Sequence, residues 1–326
     1  MIAVLPISRC LVETEVVICD SIAIHPPGTW HGLALVPELP SSDSIAGLAT
    51  NASGITPAII ESSALVIYQN KSIDSNSIGA SHKDDLFFLQ RVASECESWL
   101  DIARFDMCQL YLPDTVFGRV GSWYGSNGAS GGVFFDLAND SVKFIGGRYL
   151  VSTVTAGIGL DFFGYRPHYQ HRKDEIGNVL KHALRLYRDA LEAADWTSKY
   201  LHCVRLFEVL ADPFQLANSN KWDKVKSKVC SHLAKSKQDY LAFSDRFKVL
   251  GNIGDGNERG LRERVIHHGE LLENVFDSST AISTLFREVD GYLHKVVSDL
   301  MEFKGHSWQQ VEEWRAIRLS SLGVGS

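Results

Sequence analysis

Between Gly256 and Val275 the chain reads GNERGLRERVIHHGELLENV. On a helix turning about 100° per residue, Leu261, Val265, His268, Leu272 and Val275 share one face, with Ile266 and Phe276 at its edge. That apolar stripe predicts one amphipathic helix over 257–275, packed against a bundle. Its centre nevertheless carries two arginines, a glutamate and two adjacent histidines. Arg262 and His267 flank the stripe about 140° apart, so a single helix does not aim both at one point. Long side chains meeting across a groove, or a second copy of the helix packed on the first, can do so. Gly269 costs about 1 kcal/mol relative to alanine inside a helix, which calls for a packing or capping reason. Gly269 makes close approach plausible, and the stretch reads as a helix that meets a partner.

Outward from that stretch the helical period holds from about Arg172 to the end. Val179, Leu180, Ala183, Leu184, Tyr187, Leu191 and Ala194 mark one helix. Tyr200, Leu201, Val204 and Phe207 mark a second, ended by Asp212-Pro213 because proline disfavours α geometry in the residue before it. Further helices are predicted at 221–234, 237–250, 279–303 and 307–319, with connections short enough for antiparallel neighbours.

Before about residue 165 the pattern is strand-like. VVICDSIAI (16–24), GLALV (32–36), PAIIESSALVIY (57–68), GGVFFDL (131–137) and VKFIGGRYLVSTV (142–154) are short, β-branched and aromatic, and bounded by turn residues. One helix interrupts them, starting at a Ser81/Asp84 capping box and running through Leu86, Leu89, Val92, Cys96, Trp99 and Ile102. GSWYGSNGASGG (121–132) lacks the Lys-Ser/Thr ending of a phosphate loop and reads as a turn between strands. The aromatic residues Trp123, Tyr124, Phe134 and Phe135 read as β-domain core. The expected fold is α+β: a β-rich domain with one long helix over 1–168, then an all-α bundle over 172–320. The boundary falls in HYQHRKDE (168–175).

Charge divides along the same line. Residues 172–326 hold 23 Lys+Arg and 22 Asp+Glu of the chain's 32 and 39, which leaves 9 and 17 for residues 1–171. The net charge of -7 thus belongs to the first half. A net acidic chain does not bind nucleic acid indiscriminately, because phosphate neutralisation needs clustered Lys and Arg. No apolar run is long enough for a membrane span, and the opening MIAVLPIS lacks the basic flank of a signal peptide. Six scattered cysteines without a CxxC pair are how reduced, buried thiols look in a cytoplasmic protein. Neither a zinc-ligand spacing nor a Gly-x-Ser-x-Gly elbow occurs, so no metal, no cofactor and no serine hydrolase is expected.

Arg262-Glu-Arg-Val-Ile-His267, followed by His268-Gly269, resembles the Arg-x4-6-His signature of the HEPN superfamily, and RERVIHHG is most similar to its Apea-like branch. Upstream, WTSKYLHCVRLFEVLAD (Trp196–Asp212) resembles the helix such domains place before the motif helix, where an aromatic-leucine-glutamate pattern is common. The likeness covers residues 172–305. It implies a bundle that dimerises so that two motifs face one another and cleave RNA without a metal ion, in prokaryotic antiviral defence or toxin-like growth arrest. It also implies that the first domain senses a trigger ligand or protein, or restrains the nuclease. Histidine titrates near pH 6.5, so His267 suits acid/base work. Arginine stays charged and grips phosphate oxygens, which suits Arg262. Glu263 orients one of them, and Arg264 with His268 is a second candidate pair. RNA and a second copy of the chain are the expected partners. The other reading is a catalytically silent HEPN scaffold that binds RNA or dimerises.

Overall fold

The computed structural model describes residues 1–27, 63–70, 78, 81–112, 116–122, 131–136, 141–146, 160–214, 221–251 and 259–324. The chain forms two compact units: Met1–Met107 with Asp114–Gln170, and Cys108–Pro113 with His171–Ser326. The polar boundary stretch read from the sequence brackets the 170/171 division.

The first unit is built on an antiparallel sheet. Its strands are β1 (Ile2–Ile7), β3 (Val16–Cys19), β4 (Ile22–His25), β5 (Ala64–Gln69), β6 (Gly131–Asp136) and β7 (Ser141–Gly146), ordered β3-β4-β5-β1-β6-β7. A short parallel pair, β2 (Cys10–Leu11) with β8 (Leu160–Asp161), lies apart from it. Ile2–Ile7 of MIAVLPIS, a stretch compared with a signal peptide at the sequence level, form β1, whose six residues are all buried in a strand paired on both edges. Proline cannot donate to a ladder. Pro6 is tolerated there because the β6 pairing stops at Val4, while the Pro6 carbonyl accepts from Gly121 N at 2.7 Å. GLALV, residues 57–62, residues 147–154 and Trp123–Tyr124 lie outside the described residues.

The long helix of this unit, α1 (His82–Met107), starts where the Ser81 hydroxyl accepts from Asp84 N. Leu89, Val92, Cys96, Leu100 and Ala103, spaced by three or four, form its buried stripe, and Phe88 meets Phe134 of β6 edge to face at 5.2 Å. Arg104 is buried between Glu97 at 2.6 Å and Asp101 at 3.3 Å, with its guanidinium also donating to the Gly118 carbonyl. Glu97 in turn accepts from Val120 N, so the buried charge fastens residues 116–122 to the helix.

The second unit contains α2 (Glu175–Leu191), α3 (Trp196–Ala211), α4 (Lys221–Leu233), α5 (Lys237–Leu250), α6 (Leu261–His268), α7 (Leu272–Val275), α8 (Ser279–Glu302) and α9 (Trp308–Ser321). Their starts are written into the sequence. Asp174, Asp195, Ser236, Ser278 and Ser307 each accept from a backbone N–H of the first turn, worth about 1 kcal/mol apiece. Ile282, Leu285, Phe286, Val289, Leu293, Val296 and Leu300 give α8 an apolar face that packs on α2, α3 and α4. Residues 108–113 join this unit for a physical reason. Cys108 and Leu110 are buried in it, and their carbonyls accept from Tyr187 Oη at 3.1 Å and Lys199 Nζ at 3.0 Å.

The single helix expected over 257–275 is instead two. Helix α6 stops at Gly269, whose φ of 66° is left-handed, and the N–H groups of Gly269 and Glu270 both return to the Arg264 carbonyl. A glycine in that conformation closes a helix at no steric cost. The stripe is cut accordingly: Leu261, Val265 and Leu272 are buried, Val275 is half-buried, and His268 is exposed. Ile266 is 41% exposed, so it is not core. Among the described residues no helix is long and apolar enough to cross a membrane.

Candidate functional site

Helix α6 has no side-chain cap. It is positioned by its neighbours: Glu263 N donates to the Gly251 carbonyl at 3.2 Å, and Gly251 lies against the Trp222 indole so tightly that a Cβ would overlap it. Trp222 Nε1 donates to the Phe247 carbonyl at 2.7 Å, which fixes the ring between α4 and α5.

Arg262 leans onto that scaffold. Its guanidinium lies 5.8 Å from the Trp222 ring centroid, and Nη2 donates to Glu208 Oε1 of α3 at 3.0 Å. The arginine side chain is 16% exposed, deep enough for the pair to be felt. Tyr200 stands behind it, buried, with its hydroxyl donating to the Leu250 carbonyl at 2.6 Å. Burial pushes that phenol far above its ordinary range, with the charges of Arg262 and Arg246 opposing the rise. Glu208 is thus a carboxylate that holds the motif arginine. Glu263 is half-buried.

His267 is exposed on the outer side of α6. Arg262 is held on the α3–α4 side, and among the described residues no hydrogen bond or ion pair ties His267 to that scaffold's Glu208 or Trp222.

The second candidate pair lies near Glu270. Arg264 Nε and Nη2 both donate to Glu270 Oε2, at 3.0 and 2.7 Å, across the Gly269 turn. That hydrogen bonding holds the Glu270 carboxyl below its usual range. His268 Nδ1 lies 3.0 Å from Arg259 Nη1. The charges of His268 and Arg259 act on the Glu270 carboxyl as well, so Arg264 and His268, spaced for one helix face, share that partner. Gly269 is needed for its conformation: nothing among the described residues lies within 4 Å of a Cβ built there.

Glu208 and Trp222 are the site residues the sequence reading left unassigned. The glutamate pattern on the upstream helix was the available signal for Glu208. Trp222 carried none. Among the described residues no three His, Cys, Asp or Glu side chains gather as a metal site. All six cysteines are free thiols, five of them buried.

No family of known proteins, no curated protein and no solved structure matches this chain. Its class rests on its own geometry: an α+β chain whose helical unit presents an anchored arginine and an exposed histidine on one short helix.

Proposed function

We propose that the chain is a metal-independent endoribonuclease of HEPN type that acts as a dimer, in prokaryotic antiviral defence or toxin-like growth arrest. The observation that carries this reading is the Glu208–Arg262 pair at 3.0 Å. It joins the glutamate of the upstream helix to the arginine of the motif, 54 residues apart in the chain.

In this reading His267 of one protomer takes the proton of a ribose 2'-hydroxyl. The 2'-oxygen attacks the adjacent phosphorus, the bond from phosphorus to the 5'-oxygen breaks, and the leaving oxygen takes up a proton. A 2',3'-cyclic phosphate and a 5'-hydroxyl result. Arg262, held in place by Glu208, stabilises the charge that builds on the phosphoryl oxygens. Preorganisation by Glu208 lowers the cost of aiming the guanidinium and also offsets part of its charge. That neutralisation favours the alternative reading, a catalytically silent scaffold that binds RNA or dimerises.

One assay separates them. Purified full-length protein incubated with total RNA in EDTA yields fragments ending in 2',3'-cyclic phosphate. His267→Ala lowers the rate by about 10²- to 10⁴-fold. Its stability stays within about 0.5 kcal/mol of the parent, because the side chain is exposed. Identical cleavage by parent and His267→Ala ends the nuclease reading.

A further inference from the structure

The hairpin of α2 and α3 carries two exposed arginines, Arg185 and Arg205, at neighbouring levels beside His182. The two helices are antiparallel neighbours joined by a short turn between Leu191 and Trp196, and residues equally far from that turn sit abreast. His182 therefore lies level with Arg205, and Arg185 follows His182 by one turn on α2. Both arginines are exposed and His182 is half-buried. His182 registers the crowding: burial holds its imidazole below the usual range, and the charges of Arg185 and Arg205 push it the same way, with Asp189 alone opposing.

Arg205 precedes Glu208 on α3 by three residues, about 4.5 Å of rise and on the same side of the helix. Glu208 holds Arg262. Arg185, Arg205 and Arg262 thus follow one path from the edge of the hairpin to the motif helix. Leu201, one turn before Arg205, is 38% exposed and offers an apolar surface beside that path.

Guanidinium groups in a row suit a chain of phosphates, and an apolar side chain beside them suits an unstacked base. We infer that the α2–α3 seam, through Arg185 and Arg205, grips the phosphates of single-stranded RNA flanking the linkage held at Arg262. This rests on the nuclease reading for the position of the scissile bond, but the seam's affinity for RNA is measurable apart from cleavage.

The test uses the full chain bearing His267→Ala, so that the probe survives, with and without Arg185→Gln and Arg205→Gln together. Binding of a short labelled single-stranded RNA is followed over a range of salt concentrations. Loss of two phosphate contacts weakens binding and makes the slope of log affinity against log salt shallower by about 1.4. Arg185→Lys with Arg205→Lys keeps most of the slope, since the charges remain. Both side chains are exposed, so the unfolding midpoint of the Gln pair stays with the parent. An unchanged slope and affinity in the Gln pair overturn the seam, as does a parent that binds no RNA. If the His267-bearing chain cleaves RNA while the Gln pair keeps the parent slope, the seam falls and the nuclease reading stands. If that chain cleaves nothing and the slope still drops, the seam stands and the nuclease reading falls.

Discussion

Arg315 of α9 and His232 of α4 meet at 3.1 Å, Nε to Nε2, and both are sealed inside the bundle at 2% and 4% exposure. Arg262 and His267 share one short helix, point about 140° apart, and the histidine stands in solvent. The residue types are the same and their burial sends them to different ends. Arg315 also donates to the Leu210 and Ala211 carbonyls, at 2.8 and 3.2 Å, satisfying the last turn of α3 from outside the helix. His232 has both nitrogens occupied, Nδ1 donating to Asp299 at 3.1 Å and Nε2 accepting from Arg315. An imidazole held in that way has no nitrogen left with which to move a substrate's proton. The buried contact between Arg315 and His232 therefore marks structure. In the separated pair one residue is anchored and the other open, which is the arrangement the proposed chemistry requires.

The largest effect that would break this contrast is on Arg315. Arg315→Ala leaves two buried carbonyls and His232 without their donor, and we expect a loss of about 3 to 5 kcal/mol in urea unfolding. A loss under about 1 kcal/mol would make the buried pair dispensable.

Next comes pH. Burial lowers the His232 pKa from 6.5 to about 4, opposed chiefly by its hydrogen bond to Asp299. Between those values the unfolded chain binds the proton and the folded chain does not, so stability rises with pH across that window. The contribution, about 3 kcal/mol, is complete above pH 6.5 and is lost as pH falls through 4. Asp290, whose carboxyl burial raises to about 6, acts in the opposite sense within the same window. The difference between parent and His232→Gln isolates the histidine: the variant's stability profile is flatter from pH 6.5 down to 4, whereas parallel profiles would refute a neutral buried imidazole.

The smallest effect sharpens the other side of the comparison. Gly269→Ala places a Cβ in the left-handed region with open space around it, and costs about 1 to 2 kcal/mol through conformation alone. Thermal unfolding measures it. A cost near that of the Arg315 change would mean that the α6–α7 corner is built as tightly as the buried pair.

Periodicity made the bundle legible. The helices expected at 221–234, 237–250, 279–303 and 307–319 are α4, α5, α8 and α9 within three residues at each end. Apolar side chains at a 3.6-residue repeat have only one way to share a core, so local spacing carries that information. The motif helix was misread for a related reason. Leu272 is buried whether residues 257–275 form one helix or two, so the stripe continues across a break it does not reveal. Glycine inside a helix and glycine ending one look alike in sequence. Strand β1 was missed because a centrally paired strand is apolar on both faces and shows no alternation.

The candidate site divides in the same way. Arg262 and His267 stood out in the sequence because their spacing is local, and so did the angle between them. That the arginine would rest on Trp222 and pair with Glu208, while His267 stayed open, was decided by the packing of α3, α4 and α6. Linear spacing sets which side chains one helix can present; the neighbours of that helix, brought in from 40 or more residues away, set which of them are anchored and which are left exposed.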